Sequence, residues 1–238
     1  MKKMYSIIVV LLLLIQTIPC LSKEPAVINL KDIPQRKVRS YLIINNISKI
    51  QDFSAIRPSW KKGFINSDFN IQEKNFYLDY CLSSVWECYR HVNSIDMWSG
   101  KSVRFGVLLS KPSNSVVYAD NPSSPEIDTG QIYFLNLRLI KGLINIPVAF
   151  EIINIDQVHQ LIEFSYIESN KSKGKQTIQF FESGDGHTRI VHTSFFKSGS
   201  RFRDNLIYPV FHKKFIREFH RNMLDLIGRK ENQATIFM

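Results

Sequence analysis

The sequence predicts an α+β chain in which an antiparallel β-meander is closed by one long amphipathic helix. Three observations predict it. Between Val103 and Lys197, short strand-like runs follow one another and are broken by turn formers rather than by helices. One strand and one helix, Phe76–Tyr80 and Val85 to about Met97, come before them. The stretch from Pro209 to about Ile227 carries an apolar stripe at helical spacing.

The 238-residue chain has 31 Lys and Arg against 21 Asp and Glu, with 17 Phe and 9 Tyr. That much aromatic surface excludes disorder throughout, and 3 Cys exclude a disulfide-stapled miniprotein. Residues 1–22 have the layout of a secretory signal peptide. Lys2 and Lys3 precede the apolar run Ile7–Ile15, Pro19 breaks it, and Cys20-Leu21-Ser22 offers small residues for cleavage. The run falls short of the roughly 20 residues that a membrane-crossing helix needs. An exported chain with no transmembrane segment is therefore expected. Pro19 directly before Cys20 is a poor setting for lipidation of that thiol. Two of the 31 basic residues leave with the peptide, so 29 remain against 21 acidic.

Residues 23–74 read as an extension packed onto the main domain. Pro25, Pro34 and Pro58 interrupt it, no period persists, and Tyr41–Ile56 is where a short helix is expected. The main domain covers residues 75–230, and 231–238 form a tail.

Within the domain, Ser83 or Ser84 caps the first helix with Glu87 in reach of a capping box. Strands are expected at Val103–Leu109, Ser115–Tyr118, Ile132–Leu139, Val148–Asn154, Gln160–Glu168, Gln176–Glu182 and Thr188–Lys197. The breaks hold Asp120–Pro125, Lys141-Gly142, Asp156, Asn170–Gly174 and the hairpin-like Gly184-Asp185-Gly186. Cys81 and Cys88 read as small buried residues; a disulfide needs a chain reversal between them.

The closing helix has Pro209 in its first turn and Gly228 at its expected end. At about 100° per residue, Tyr208, Phe211, Phe215, Phe219, Met223 and Leu226 share one sector, widened by Ile216 and Ile227. Lys213, Lys214, Arg217, Glu218, Arg221 and Asp225 take the opposite side.

This order of elements resembles the helix-grip fold of the START and birch-pollen-allergen (SRPBCC) superfamily over roughly residues 75–230. The resemblance rests on the order itself, on Val85-Trp86 opening a helix just after the first strand, and on the closing helix. It implies a curved sheet wrapped around the C-terminal helix with a cavity between them. It also implies either binding of a hydrophobic or amphipathic small molecule there or, as in some members, cyclase or dehydratase chemistry. The extension and the expected export depart from the common pattern.

Strands alternate faces, so charged residues mark the outside. Arg189 and Lys197 turn Ile190, His192, Ser194 and Phe196 inward. Lys175 does the same for Ile178 and Phe180, and Glu163 for Ile162, Phe164 and Tyr166. Glu151 selects Val148, Phe150 and Ile152; Arg138 selects Tyr133, Leu135 and Leu137; Arg104 selects Val103 and Phe105. On the helix, His212 and Asn222 lie about 40° to either side of the stripe centre. With Phe215 and, at the cavity mouth, Arg203, these side chains are the expected ligand contacts. No catalytic residue is assigned. Were the interior an enzyme site, His192 or His212 would transfer the proton with Tyr166 as partner. The competing reading is a satisfied polar group in a plain core, which points to an envelope protein acting through its surface.

Arg201 and Arg203 have the chemistry to hold an anionic head group with Asp204 orienting one guanidinium; alternatively Asp204 serves the helix entry. No metal spacing, phosphate loop or nucleophile elbow is present, and no cofactor is expected. The basic excess suits an anionic envelope surface, while export and scattered charges speak against nucleic acid.

Overall fold

A computed structural model describes residues 25–61, 63–121, 125–184 and 186–236. The signal-peptide reading, Cys20, part of the Asp120–Pro125 turn and Asp185 lie outside the described residues.

The fold is α+β, with eight antiparallel strands in one open, curved sheet among the described residues. They are β1 (Asn70–Leu78), β2 (Val103–Ser110), β3 (Ser115–Tyr118), β4 (Gln131–Leu139), β5 (Ile144–Asp156), β6 (Leu161–Tyr166), β7 (Ser172–Glu182) and β8 (Thr188–Ser198). Their order is β1-β8-β7-β6-β5-β4-β2-β3, so β1 returns to pair with β8, and β4 pairs with β2, which leaves β3 at the edge. The helices are α1 (Arg36–Ile44), α2 (Leu82–Arg90), α3 (Ser94–Met97) and α4 (Tyr208–Ile236). Among the described residues no helix is long and apolar enough to cross a membrane.

Several boundaries differ from those expected. The extension's α-helix is Arg36–Ile44, with 3-10 turns at Ile47–Lys49 and Phe53–Ala55 in place of one helix over Tyr41–Ile56. β1 begins at Asn70, inside the segment taken as extension. The helix foreseen to Met97 breaks into α2 and α3, because Asn93 caps a new start by accepting from Ile95 and Asp96 N–H. Gly228 does not stop α4, which runs on to Ile236. Cys81 is exposed beside the start of α2 and Cys88 is buried on it, with no disulfide between them.

Two bulges shape the sheet. Between Phe105 and Val107 the pairing with β4 slips by one, so Phe105 and Leu108 both face α4 while Val107 and Leu109 face away. Gly106 sits at that slip, and a Cβ there would lie 2.6 Å from the Phe134 carbonyl oxygen and 3.1 Å from Val38. A second slip between Ile152 and Asn154 brings Ile155 in beside Ile152.

Both faces of the sheet are covered. The inner core lies between the sheet and α2, α3 and α4, and includes Phe105, Tyr133, Leu135, Phe150, Phe164, Phe180, Phe219 and Met223. The outer core is built by the extension: Ile33, Val38, Leu42, Ile47 and Phe53 pack on Val107, Leu109, Ile132, Phe134 and Ala149. Two-sided burial explains why Val107–Leu109 and Ile132–Leu135 are unbroken apolar runs instead of alternating ones. Glu151, used above as a mark of solvent, is on the outer face yet buried, with Lys111 Nζ 2.7 Å from each carboxylate oxygen.

Candidate functional site

Four strands, β1, β6, β7 and β8, and two helices, α2 and α4, contribute the polar groups that meet here. On β8, Ile190, His192, Ser194 and Phe196 are all buried, as the alternation requires. On α4 the buried face is His212, Ile216, Phe219, His220, Met223 and Ile227. The stripe is thus centred nearer Ile216 and His220 than expected, and Phe215 is half-buried at its edge against the same core.

The polar groups form a continuous row. Tyr89 Oη lies 2.8 Å from His220 Nδ1, and His220 Nε2 lies 2.9 Å from His192 Nδ1. His192 Nε2 is 2.9 Å from Gln176 Oε1, Gln176 Nε2 donates to Tyr166 Oη at 3.1 Å, and Tyr166 Oη meets Tyr208 Oη. With the amide oxygen turned toward His192, each group as far as Gln176 donates once in the same direction. Tyr89 gives its proton to His220, His220 Nε2–H to His192 and His192 Nε2–H to Gln176, while one of the two phenols at the end of the row donates to the other. Among the described residues no group then accepts the hydroxyl proton of the other phenol.

A shorter arm joins it. His212 Nδ1 lies 3.2 Å from Gln72 Oε1 and Nε2 lies 3.4 Å from Ser194 Oγ, while Gln72 Nε2 donates to the Pro209 carbonyl at 3.3 Å. The Tyr208 ring stacks between Phe196, with centroids 3.6 Å apart, and His212 at 4.6 Å.

Burial keeps the whole row neutral. Desolvation pushes His212 and His220 down to about 3. It also drives His192 well below the imidazole range, helped by repulsion from His220 and His212. The same desolvation raises Tyr166 to about 12 and lifts Tyr89 and Tyr208 well above the usual phenol value.

Beside the row is an aromatic cluster packed around Trp98, from the loop after α3. Its ring lies 4.5 Å from Phe219, 4.9 Å from Phe150, 6.1 Å from Phe164 and 6.2 Å from Tyr133. Its Nε1–H is buried without an acceptor. The loop is tied to α4 at two points. Asn222 Nδ2 donates to the Met97 and Ser99 carbonyls at 3.3 and 3.1 Å. Glu218 Oε1 accepts the Ser102 and Val103 N–H groups at 2.6 and 3.0 Å.

The structure brings together most of the expected contacts. Phe105, Tyr133, Leu135, Phe150, Phe164, Tyr166, Phe180, His192 and Ser194 are buried and turn toward α4, and His212 is buried on α4 itself. Asn222 is spent on the loop. Glu218, placed on the solvent side by charge, is buried because two backbone donors need it. Arg203 lies half-buried in a wide helical turn, Arg203–Ile207, that leads into α4. Asp204 closes the preceding loop by accepting Ser198 N–H at 2.9 Å instead of orienting a guanidinium.

Gln72, Tyr89, Trp98, Gln176, Tyr208 and His220 were not among the expected contacts. Gln176 carries a readable signal, being in phase with Ile178 and Phe180. His220 lies one i+4 step beyond Ile216, which a stripe centred on His212 would have included. Trp98, on a loop, has no period to place it.

An open cleft of about 780 Å³ lies elsewhere, between Tyr77–Tyr80 at the end of β1 and Leu224, Asp225, Gly228 and Arg229 of α4. None of the row lines it.

No protein-family model matches the chain and no curated protein matches it. Solved structures do. A norcoclaurine synthase point mutant from Thalictrum flavum, in complex with a transition-state analogue, is 11% identical with a TM-score of 0.51, over 68% of this chain and 96% of that one. A protein from Thermus thermophilus is 10% identical with a TM-score of 0.48, over 68% and 99%. A Mycobacterium smegmatis protein is 16% identical with a TM-score of 0.44, over 70% and 94%. At these identities the first likeness shows the helix-grip fold, and the fold alone.

Proposed function

We propose that the protein is exported and binds a hydrophobic or amphipathic, lipid-like molecule between the sheet and α4. The observation that carries this reading is the interior row ending on the Tyr166–Tyr208 hydroxyl pair, in which one proton has no acceptor among the described residues. A core that serves stability alone gains nothing from such a row, since apolar groups of the same shape in place of both partners of a buried hydrogen bond are nearly neutral or stabilising. An apolar chamber with a few convergent polar groups is the usual form of a small-molecule site. Here the aromatic walls supply burial and the row supplies orientation.

Trp98 occupies the place that an apolar ligand would take. Its indole lies on a loop rather than in a strand, so its withdrawal frees ring-sized space without breaking a sheet hydrogen bond. The signal-peptide layout of residues 1–22 supports export.

The neutrality of the row favours binding over catalysis. A general acid or base works best with a pKa near the operating pH. Imidazoles held near 3 and phenols raised by burial, Tyr166 to about 12, serve as fixed donors and acceptors.

Native mass spectrometry of the purified protein tests the reading. The expected result is a retained apolar molecule, with less retention in Tyr208→Phe. Absence of any retained molecule, with no uptake of a long-chain fatty acid by either the parent or Trp98→Ala, would overturn it.

A further inference from the structure

The outer face of β7 and β8 carries a feature that the interior reading leaves unused. Phe195 lies opposite Lys175 on β7 and Ile71 on β1, and two residues along the same face Lys197 lies directly opposite Lys173. Like charges placed opposite each other across a ladder are unfavourable. The basic character extends past the strand ends: residues 169–177 hold Lys171, Lys173 and Lys175, and residues 195–204 hold Lys197, Arg201 and Arg203. Asp204 is the one acid in those two stretches, and it is buried.

An aromatic cluster adjoins these charges. The Trp60 ring lies 4.9 Å from Phe69, 5.7 Å from Phe64 and 6.1 Å from Phe195, and Lys175 Nζ sits 4.9 Å above it. Apolar side chains around it are presented to water: Ile65 is 64% exposed, Ile71 57% and Phe64 39%. Phe202, between Arg201 and Arg203 just beyond β8, is 64% exposed. Lys175 and Lys61 are paired with Glu163 and Glu168, so the unbalanced charge rests on Lys171, Lys173, Lys197, Arg201 and Arg203.

We infer that this face docks on the surface of a bilayer containing anionic lipid. Charge complementarity selects an anionic partner. The exposed Ile65, Phe64 and Phe202 select one with an apolar layer to enter, which a polysaccharide lacks. Aromatic and basic side chains in one patch match the two zones of a membrane interface, the acyl boundary and the charged headgroups. The patch adjoins the N-terminal end of α4, where Tyr208 ends the interior row, so a docked protein presents that end to the lipid.

Docking does not depend on an occupied interior, and its test is separate. The purified protein is sedimented with vesicles of phosphatidylcholine alone and of phosphatidylcholine mixed with phosphatidylglycerol. The expected result is co-sedimentation with the mixed vesicles, weakened by salt. At about fivefold per surface lysine, Lys173→Gln with Lys197→Gln reduces binding about 25-fold. Ile65→Ser with Phe202→Ser reduces it about tenfold. All four positions are exposed, so an unchanged melting temperature verifies folding. Failure to sediment with the mixed vesicles overturns the inference. So does binding that responds to the lysine pair but not to Ile65→Ser/Phe202→Ser, which marks adhesion to any polyanion. A concentration-dependent dimer abolished by that apolar pair overturns it in favour of a second copy of the chain.

Discussion

His192 of β8 and His220 of α4 meet ring nitrogen to ring nitrogen at 2.9 Å. The contact needs one N–H and one lone pair, so both rings must be neutral. A proton on either nitrogen turns an attraction into the meeting of two donors inside an apolar core. The sheet and the closing helix are therefore joined at their centre by a bond sensitive to acid.

Acid should unfold this protein steeply. His212 and His220 are depressed to about 3 in the fold and His192 well below its ordinary value, whereas in the unfolded chain all three titrate near 6.5. The unfolded state thus binds more protons in that window. Stability is complete above about pH 6.5 and falls as pH drops toward 3. With three imidazoles the slope approaches about 4 kcal/mol per pH unit. Urea titrations at stepped pH measure it; a midpoint indifferent to pH between 6.5 and 4 would contradict the neutral row.

Tyr89→Phe removes the donor to His220 Nδ1 and nothing else of the ring. The buried acceptor left unmet should cost about 1–3 kcal/mol. Replacing His192 and His220 together by Leu should cost less than the sum of the two single changes, since each single change strands a partner. Additive losses in denaturant unfolding would show that the two rings do not act as a pair.

Gly100→Ala should be among the more damaging small substitutions. Its new Cβ would stand 2.1 Å from Glu218 Oε1, displacing the carboxylate from Ser102 and Val103 N–H. Each buried donor left unmet costs about 1–3 kcal/mol. Glu218→Gln keeps the shape and gives up the charge, so it should lose less. Melting temperatures rank the two; equal values for Gly100→Ala and the parent would mean that the loop does not rest on Glu218.

Trp98→Ala should destabilise by about 3–5 kcal/mol through the cavity it leaves. That space is apolar, so free indole should raise the melting temperature of the variant and leave the parent unchanged. Absence of rescue would show that the loop collapses into the gap.

Phe53→Ala should cost a similar amount, about 3–5 kcal/mol, from the opposite side of the sheet. Because Phe53 belongs to the outer core, any molecule retained in native mass spectrometry should persist. Its loss would mean that the two faces are not independent.

The strands were legible because burial on one face imposes a period of two, and lone charges such as Arg189 and Lys197 reveal which face is wet. The same test gave the right face for Glu151 but not its burial, and it misplaced Glu218. A charge marks solvent only where nothing pairs with it, and the partners, Lys111 and the Ser102–Val103 backbone, are distant in sequence or carry no side-chain signal. The stripe on α4 was found but mis-centred, because histidine was counted as polar and His220 is as deeply buried as its apolar neighbours.

The order of apolar and polar residues was enough to specify eight short strands, a closing helix and the face each turns inward, since those follow from local periodicity and turn chemistry. Which polar side chains touch one another was settled by long-range pairing. A bulge at Gly106, the return of β1 to β8, and the rotation of α4 about its axis set that row, and each depends on contacts among residues far apart in the chain. The covering of the outer face by residues 26–56 belongs to the same class, because an irregular segment shows its apolar side only once a sheet is there to receive it.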